Sequence, residues 1–513
     1  MPEKNSKNFY RRRRASEKNL SGEDSFSSRG ERKKRNRFYI TTTLPYVNSD
    51  PHIGFAMELI RADMIARYKK LAGFDVFFNT GTDEHGLKIF RSAEKLGVSP
   101  QKYVDDYAAK FKALIPLLGI SSDAVFTRTT DAHHIKSAQA FWKLCDKNGY
   151  IYKKNYTINY CVGCELEKSN SELVDGCCPL HPNLEIEHIN EENYFFKFSA
   201  FGEKLLDLYK KNPEFVIPSH RLNEIKAFVE RGLQDFSISR LKEKMPWGIE
   251  VPGDPEQVMY VWFDALVNYI SAIGWPDDMK KFETWHNKEN GMTQYCGKDN
   301  LRQQSAMWQA MLMSVNLPVS KMIVVEGFIT GEGGIKMSKS LGNFIEPDEL
   351  VKEYGTDALR LYVAKEIAPF EDTPFTKKSF HDAYNANLAN GLGNLVSRVM
   401  TMAQNNLEGP VETKWVELGE EYKKCFDAYN LQEASNFVWK KIGLLDEKIQ
   451  KTEPFKLVKT DKEKAIEIIK ELVDGVHEIS VYLEPLLPET ATRIQKLIKA
   501  NKKPETPLFV RKD

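Results

Sequence analysis

The sequence predicts an α/β fold: a doubly wound parallel sheet carrying an inserted metal-binding domain, followed by an all-α helical bundle. Three observations support this. Residues 38–119 alternate short apolar runs with helical patterns. A Cys-x2-Cys pair followed by Cys-x2-His interrupts that alternation, and from about Lys377 long amphipathic patterns run to Ile498 without a strand-like break. A hydrophobic content of 42% with 28% charged residues excludes a disordered or fibrous chain, and 513 residues suffice for two to four domains. No apolar run reaches 18 residues, so no membrane span is predicted.

The net charge of +1 is unevenly placed. Residues 1–37 carry 13 Lys/Arg against 5 Asp/Glu, leaving 60 against 67 in the rest. With four arginines over 11–14 and an arginine- and lysine-rich run over 32–37, among serines, this basic tail reads as disordered, either an inert extension or an electrostatic contact to nucleic acid. It lacks the apolar core of a secretory signal. Seven cysteines, odd in number and partly clustered, fit a reducing compartment and a cytoplasmic location better than a disulfide framework.

Taken in order, the first strand covers 38–43 and the first half of the sheet 38–119. After Leu44, Pro45 and Tyr46 comes His52-Ile53-Gly54-Phe55, and a helical pattern runs from Ile53 to Leu71 until Gly73 stops it. A strand turning into a helix start makes an anion site: helix amides face the ligand, Gly54 lets it approach the backbone, and His52 can donate to phosphate oxygen. A second strand over 76–79 precedes Asp83, where a carboxylate either faces a ligand or caps a helix.

The insertion covers 120–256. Cys161 and Cys164, then Cys178 and His181, form two turns that can close a tetrahedral site, with Cys177 left outside. All four positions would be filled by protein, so the metal would be structural. The second half of the sheet covers 257–330. There Trp262, Ala265 and Tyr269 fall on one helical face, either core or an apolar pocket wall. Gly297, Lys298 and Asp299 follow a short strand and suit a ribose or phosphate contact, or a turn with a salt bridge.

The module over 331–376 begins with a glycine-rich loop holding Lys336-Met337-Ser338-Lys339-Ser340. Two lysines on a loop at a sheet's carboxyl end can neutralise charge on a departing pyrophosphate. The bundle covers 377–513, where Asn387, Asn390, Asn394 and Arg398 make a stripe suited to unstacked bases or to solvent.

His52-Ile53-Gly54-Phe55 and Lys336–Ser340 together resemble the two signatures of class I aminoacyl-tRNA synthetases; the second matches in full, and the first ends in Phe55 where the family usually has histidine. The resemblance runs from about Phe38 to the C-terminus and is closest to the methionyl branch. It implies a Rossmann-type catalytic domain that forms methionyl-adenylate and pyrophosphate, then transfers methionine to the 3′ end of tRNA(Met). His52, Lys336 and Lys339 would be catalytic. ATP would be held by His52, Gly54, Gly297, Lys298, Asp299 and Lys336, Met337, Ser338, Lys339 and Ser340.

For methionine the resemblance implies Leu44, Tyr46, Asp83 on the amino group, Trp262, Ala265, Tyr269, and Gln304 where the pocket often has histidine. For the anticodon it implies Asn394, Arg398 and Phe455, which stands where tryptophan is usual. It also implies one structural Zn2+ per chain, Mg2+ carried with ATP, and ATP, L-methionine and tRNA(Met) as partners. The insertion is too short for the editing domain of the isoleucine, leucine and valine relatives. No appendage follows residue 509 by much, which predicts a monomer. Three other readings stay open: a different class I synthetase such as the cysteine enzyme, another nucleotidylyltransferase, and a tRNA-binding paralogue without catalysis, marked by Phe55, Gln304 and Phe455.

Overall fold

The computed structural model describes residues 36–513 apart from 165, 169–171, 336 and 338–344. The tail over 1–35, and with it Lys336, Ser338, Lys339 and Ser340, lies outside the described residues.

Strand β1 (Arg37–Thr42) leads into helix α1 (Ile53–Leu71), which returns to β2 (Asp75–Thr82), hydrogen-bonded in parallel to β1 with Tyr39 opposite Phe77. Strand β3 (Val125–Arg128) extends the sheet outward beyond β2. On the other side of β1 lie Met292–Gly297, then Met322–Glu326, then Val216–Ile217, all parallel. The chain thus reverses its order between β1 and Met292–Gly297. The crevice at the carboxyl ends of these two strands is the natural ligand position of such a sheet.

Two strands of this sheet, β3 and Val216–Ile217, come from within 120–256, so that stretch is only partly an insertion. They are four and two residues long, too short to show a readable alternation. The inserted part is antiparallel. A long hairpin pairs Ile151–Cys161 with Glu187–Phe196, flanked by Leu166–Lys168 and Phe236–Ser237, and Cys161 sits at its far end.

Helix α1 is buried along almost its whole length, including three charged residues. Each has a hydrogen-bonding partner, because an unsatisfied buried polar group is costly. Glu58 accepts from the Thr43 amide at 2.6 Å, and Arg61 meets Glu326 at 3.2 Å and the carbonyls of Ile367 and Ala368 at 3.0 Å. Asp63 binds Arg67 at 2.8 Å and Arg360 at 2.9 Å.

The C-terminal region is helical, as the amphipathic pattern predicts, with Asn394–Asn406, Leu431–Thr452, Lys462–Leu483 and Pro488–Ala500 packed around Leu395, Val399, Val438, Leu472, Val476 and Ile494. Arg360 fastens this bundle to the sheet domain: it donates to Pro485 O and Leu486 O, each at 3.0 Å, and to Leu118 O at 3.1 Å. The first bundle helix opens into a π-helix over Tyr384–Gly393. The asparagine stripe therefore does not keep α-helical spacing. Asn387 turns to Glu366 and to Ala383 O, whereas Asn394 and Arg398 stay one α-helical turn apart.

Candidate active site

A cleft of about 650 Å³ opens at the sheet's order reversal. Leu44, Tyr46, Asp83 and Trp262 line one part, His52, Gly54 and Phe55 another, and Gly297, Asp299, Phe328 and Met337 a third. The loop after β1 is held to the loop after β2 by backbone hydrogen bonds, Asp83 N to Pro45 O at 2.9 Å and Val47 N to Asp83 O at 3.2 Å. A carboxylate and aromatic faces thus share one end of the cleft.

At the other end His52 caps α1. Its Nδ1 accepts from the Gly54 amide at 3.1 Å, which leaves the ring proton on Nε2 as a donor. A Cβ at position 54 would stand 3.0 Å from the His52 ring, so glycine is what allows this arrangement. Phe55 packs edge to face on Phe111 with centroids 5.4 Å apart and forms an apolar wall.

Acidic groups that sequence reasoning missed also face the cleft. Glu58, Glu326 and Asp372 line it. Burial, reinforced by the neighbouring Glu326 charge, holds Glu58 well above the ordinary glutamate range; burial likewise pushes Glu326 up to about 7 despite Arg61. The available signal was an acid at position 58 inside an otherwise apolar helical run. Lys298 is not in the cleft wall: its ammonium pairs with Asp372 at 2.7 Å and lies 4.5 Å over the Phe328 ring.

Ala265, Tyr269 and Gln304 stand behind the cleft, all buried. Gln304 Nε2 donates to the Tyr269 hydroxyl at 2.5 Å, and Gln304 Oε1 accepts from Gln294. The residue reaching the cleft from this element, π-helical over Gln303–Met307, is Gln303. Trp262 presents an aromatic face, and its indole Nε1 has no hydrogen-bond partner among the described residues.

At the hairpin tip, the ligand atoms of Cys161, Cys164, Cys178 and His181 all lie within 4.8 Å of one another, with Cys177 outside the group. Cys164 Sγ is 3.4 Å from Cys178 Sγ and 3.1 Å from His181 Nδ1, and the other two sulfurs are 3.8 and 4.0 Å from that nitrogen. A tetrahedron with Zn–S of about 2.3 Å has edges of about 3.8 Å, so the donor set and spacing fit zinc. Gly163 is required here, since a Cβ would meet the His181 ring at 2.5 Å. Gly163, Cys164, Leu180 and His181 also line the cleft, so the knuckle forms part of its rim.

In the bundle, Asn394 is exposed and Arg398 pairs with Asp446 at 3.1 Å, a partner sequence reasoning missed. Phe455 is 49% exposed and follows the helix that carries Asp446.

The chain matches the family described as "tRNA synthetases class I (M)" over residues 38–189 and 181–400. It is 38% identical to a methionine–tRNA ligase of Thermotoga maritima over 488 residues, covering 91% of this chain and 76% of that one. Identity is 40% with a methionine–tRNA ligase of Thermosynechococcus vestitus, covering 89% of each. Among solved structures it is similar to Mycobacterium tuberculosis methionyl-tRNA synthetase in complex with methionyl-adenylate, with a TM-score of 0.85, 32% identity, and coverage of 93% of this chain and 100% of that one.

Proposed function

Because this chain belongs to the class I methionyl-tRNA synthetases, we propose a division of labour for its cleft. The protein is a methionine–tRNA ligase: it activates methionine with ATP and charges tRNA(Met). The observation that carries the residue roles is the cleft's two-ended character, an anion-binding helix start at His52 and Gly54 facing an apolar, carboxylate-bearing end at Leu44, Tyr46, Asp83 and Trp262.

Asp83 takes the methionine ammonium, while Tyr46 and Trp262 flank the thioether, which aromatic rings attract. Ala265, Tyr269 and Gln304 hold that wall from behind. Asp299, beside Gly297, accepts from the ribose hydroxyls of ATP. One methionine carboxylate oxygen attacks the α-phosphorus in line. The bond from that phosphorus to the bridging oxygen breaks, and pyrophosphate leaves with the electron pair. His52 Nε2–H stabilises the charge growing on the α-phosphate, and Lys336 and Lys339 neutralise the leaving pyrophosphate. Mg2+ arriving with ATP as part of the substrate would add further neutralisation. In the second step a ribose hydroxyl of the tRNA 3′ end attacks the methionyl carbonyl, the adenylate leaves, and the hydroxyl proton passes to its phosphate oxygen. Neither step needs a side-chain nucleophile.

Zinc at the knuckle stabilises the hairpin that rims the cleft. Asn394, Arg398 and Phe455 read the anticodon, with Phe455 as a stacking face. A monomer and a cytoplasmic location complete the reading, the latter favoured by free cysteines. Of the three departures that mark an inactive paralogue, Phe55 and Gln304 are packed or hydrogen-bonded here and Phe455 keeps an exposed aromatic face, which favours an active enzyme. The test is charging of tRNA(Met) with labelled methionine by purified protein. Acid-precipitable label on tRNA(Met) and none on a non-cognate tRNA supports the reading; no label on either overturns it.

A further inference from the structure

Beneath the cleft floor a single buried carboxylate joins three elements. Asp264, on the short helix Val261–Ala265, is fully buried, with Oδ2 2.6 Å from His85 Nδ1 and Oδ1 2.8 Å from His134 Nε2. Burial by itself would raise the Asp264 pKa, but the two imidazoles outweigh it and hold the carboxylate below its ordinary range. An ionised carboxylate only accepts, so both histidines donate. That puts a His134 proton on Nε2, while His134 Nδ1 lies 3.0 Å from the Ser271 hydroxyl.

Position in the chain gives the network its meaning. His85 lies two residues after Asp83, and Asp264 lies two residues after Trp262; Asp83 and Trp262 both line the cleft and come from different segments of the chain. The Asp83 loop is also clamped on its other side: Glu84 accepts from Arg128 at 2.7 and 2.8 Å, its amide donates to Thr129 Oγ1 at 2.9 Å, and its carbonyl accepts from Trp247 Nε1 at 2.6 Å. His134 comes from the helix Ala132–Lys147 and closes the arrangement from below.

We propose that His85, Asp264 and His134 are positioning residues that fix the Trp262 wall against the Asp83 carboxylate and so set the affinity for the amino-acid substrate without touching it. This rests on the reading that Asp83 and Trp262 hold methionine. His85 and His134 are absent from the cleft lining, as is Asp264 itself, so their effect reaches the substrate only through the walls they hold. The ATP end is built on other elements, α1 and the stretch around Gly297 and Asp299, and should be spared.

The experiment measures KM for methionine and KM for ATP separately in ATP–pyrophosphate exchange, for wild type, Asp264→Asn, His134→Ala and His134→Gln, with thermal melting of each. Glutamine keeps an N–H near the place of Nε2–H, and alanine does not. His134→Ala should raise KM for methionine about tenfold, the loss of one buried hydrogen bond, while KM for ATP stays within twofold. His134→Gln should return KM for methionine to within about threefold of wild type. Equal rises in both KM values, or no change in methionine KM for His134→Ala, overturns the proposal even if Asp264→Asn fails to fold. A wild-type protein that exchanges with no amino acid overturns the underlying reading instead.

Discussion

At His52 the placement of one proton decides what the phosphate end of the cleft can do. The Gly54 amide occupies Nδ1, so Nε2 carries the donor. Removing the ring in His52→Ala should lower kcat of adenylate formation by about 10²–10³, the usual effect of losing one preorganised donor to transition-state charge. KM for methionine should change little, and an unchanged kcat in pre-steady-state adenylate formation would refute the role. His52, Gly54, Asp83 and Trp262, marked by a strand, a turn and a helix start and singled out by the resemblance, all line the cleft. Glu326 was not legible, because its partner Arg61 lies 265 residues away and no local pattern encodes the pair. Gln303 carried no signal either: the resemblance points to Gln304, and the π-helical stretch Gln303–Met307 that brings its neighbour to the cleft has no local sequence mark.

At the level of elements, two features give separate tests. The knuckle's ligand set was readable from its x2 spacings, including the exclusion of Cys177, and the structure gathers the same four groups. Metal analysis of purified protein should find one zinc per chain in wild type and in Cys177→Ser, and none retained after dialysis in Cys178→Ser or His181→Ala. Zinc lost equally from Cys177→Ser and Cys178→Ser would contradict the assignment. The second feature is His286, after the helix Met279–Trp285, with Nε2 2.8 Å from Pro318 O. Burial lowers its pKa to about 4 from an ordinary 6.5. The unfolded chain therefore takes up the proton first as pH falls, and the stability this neutral histidine contributes is complete above pH 6.5 and lost between 6.5 and 4, roughly 3 kcal/mol in all. Urea unfolding across this range should show wild type losing stability relative to His286→Gln, which keeps the N–H to Pro318; a constant difference would refute it. Short strands such as Val216–Ile217 escaped sequence reading because two residues carry no period.

Over the whole molecule, the parallel sheet domain and the helical bundle behave as parts joined by buried polar contacts rather than by a linker. Arg360 reaches Asp63 on α1, Leu118 O at the edge of the sheet domain, and Pro485 O and Leu486 O in the bundle, while Asp357 accepts from the Thr490 amide at 2.6 Å. The order of these parts was legible from the change in hydrophobic period. Their joint was not, because an arginine in a helical stretch looks the same whether it faces solvent or four carbonyl and carboxylate partners. If the cleft at the sheet's order reversal activates methionine, amino-acid-dependent ATP–pyrophosphate exchange with purified protein, comparing methionine with leucine, isoleucine and cysteine, should be driven by methionine. Discrimination against the shorter or branched side chains should be limited to about 1–3 kcal/mol per methylene-sized difference. Exchange driven best by another amino acid, or by none, would contradict that role of the cleft.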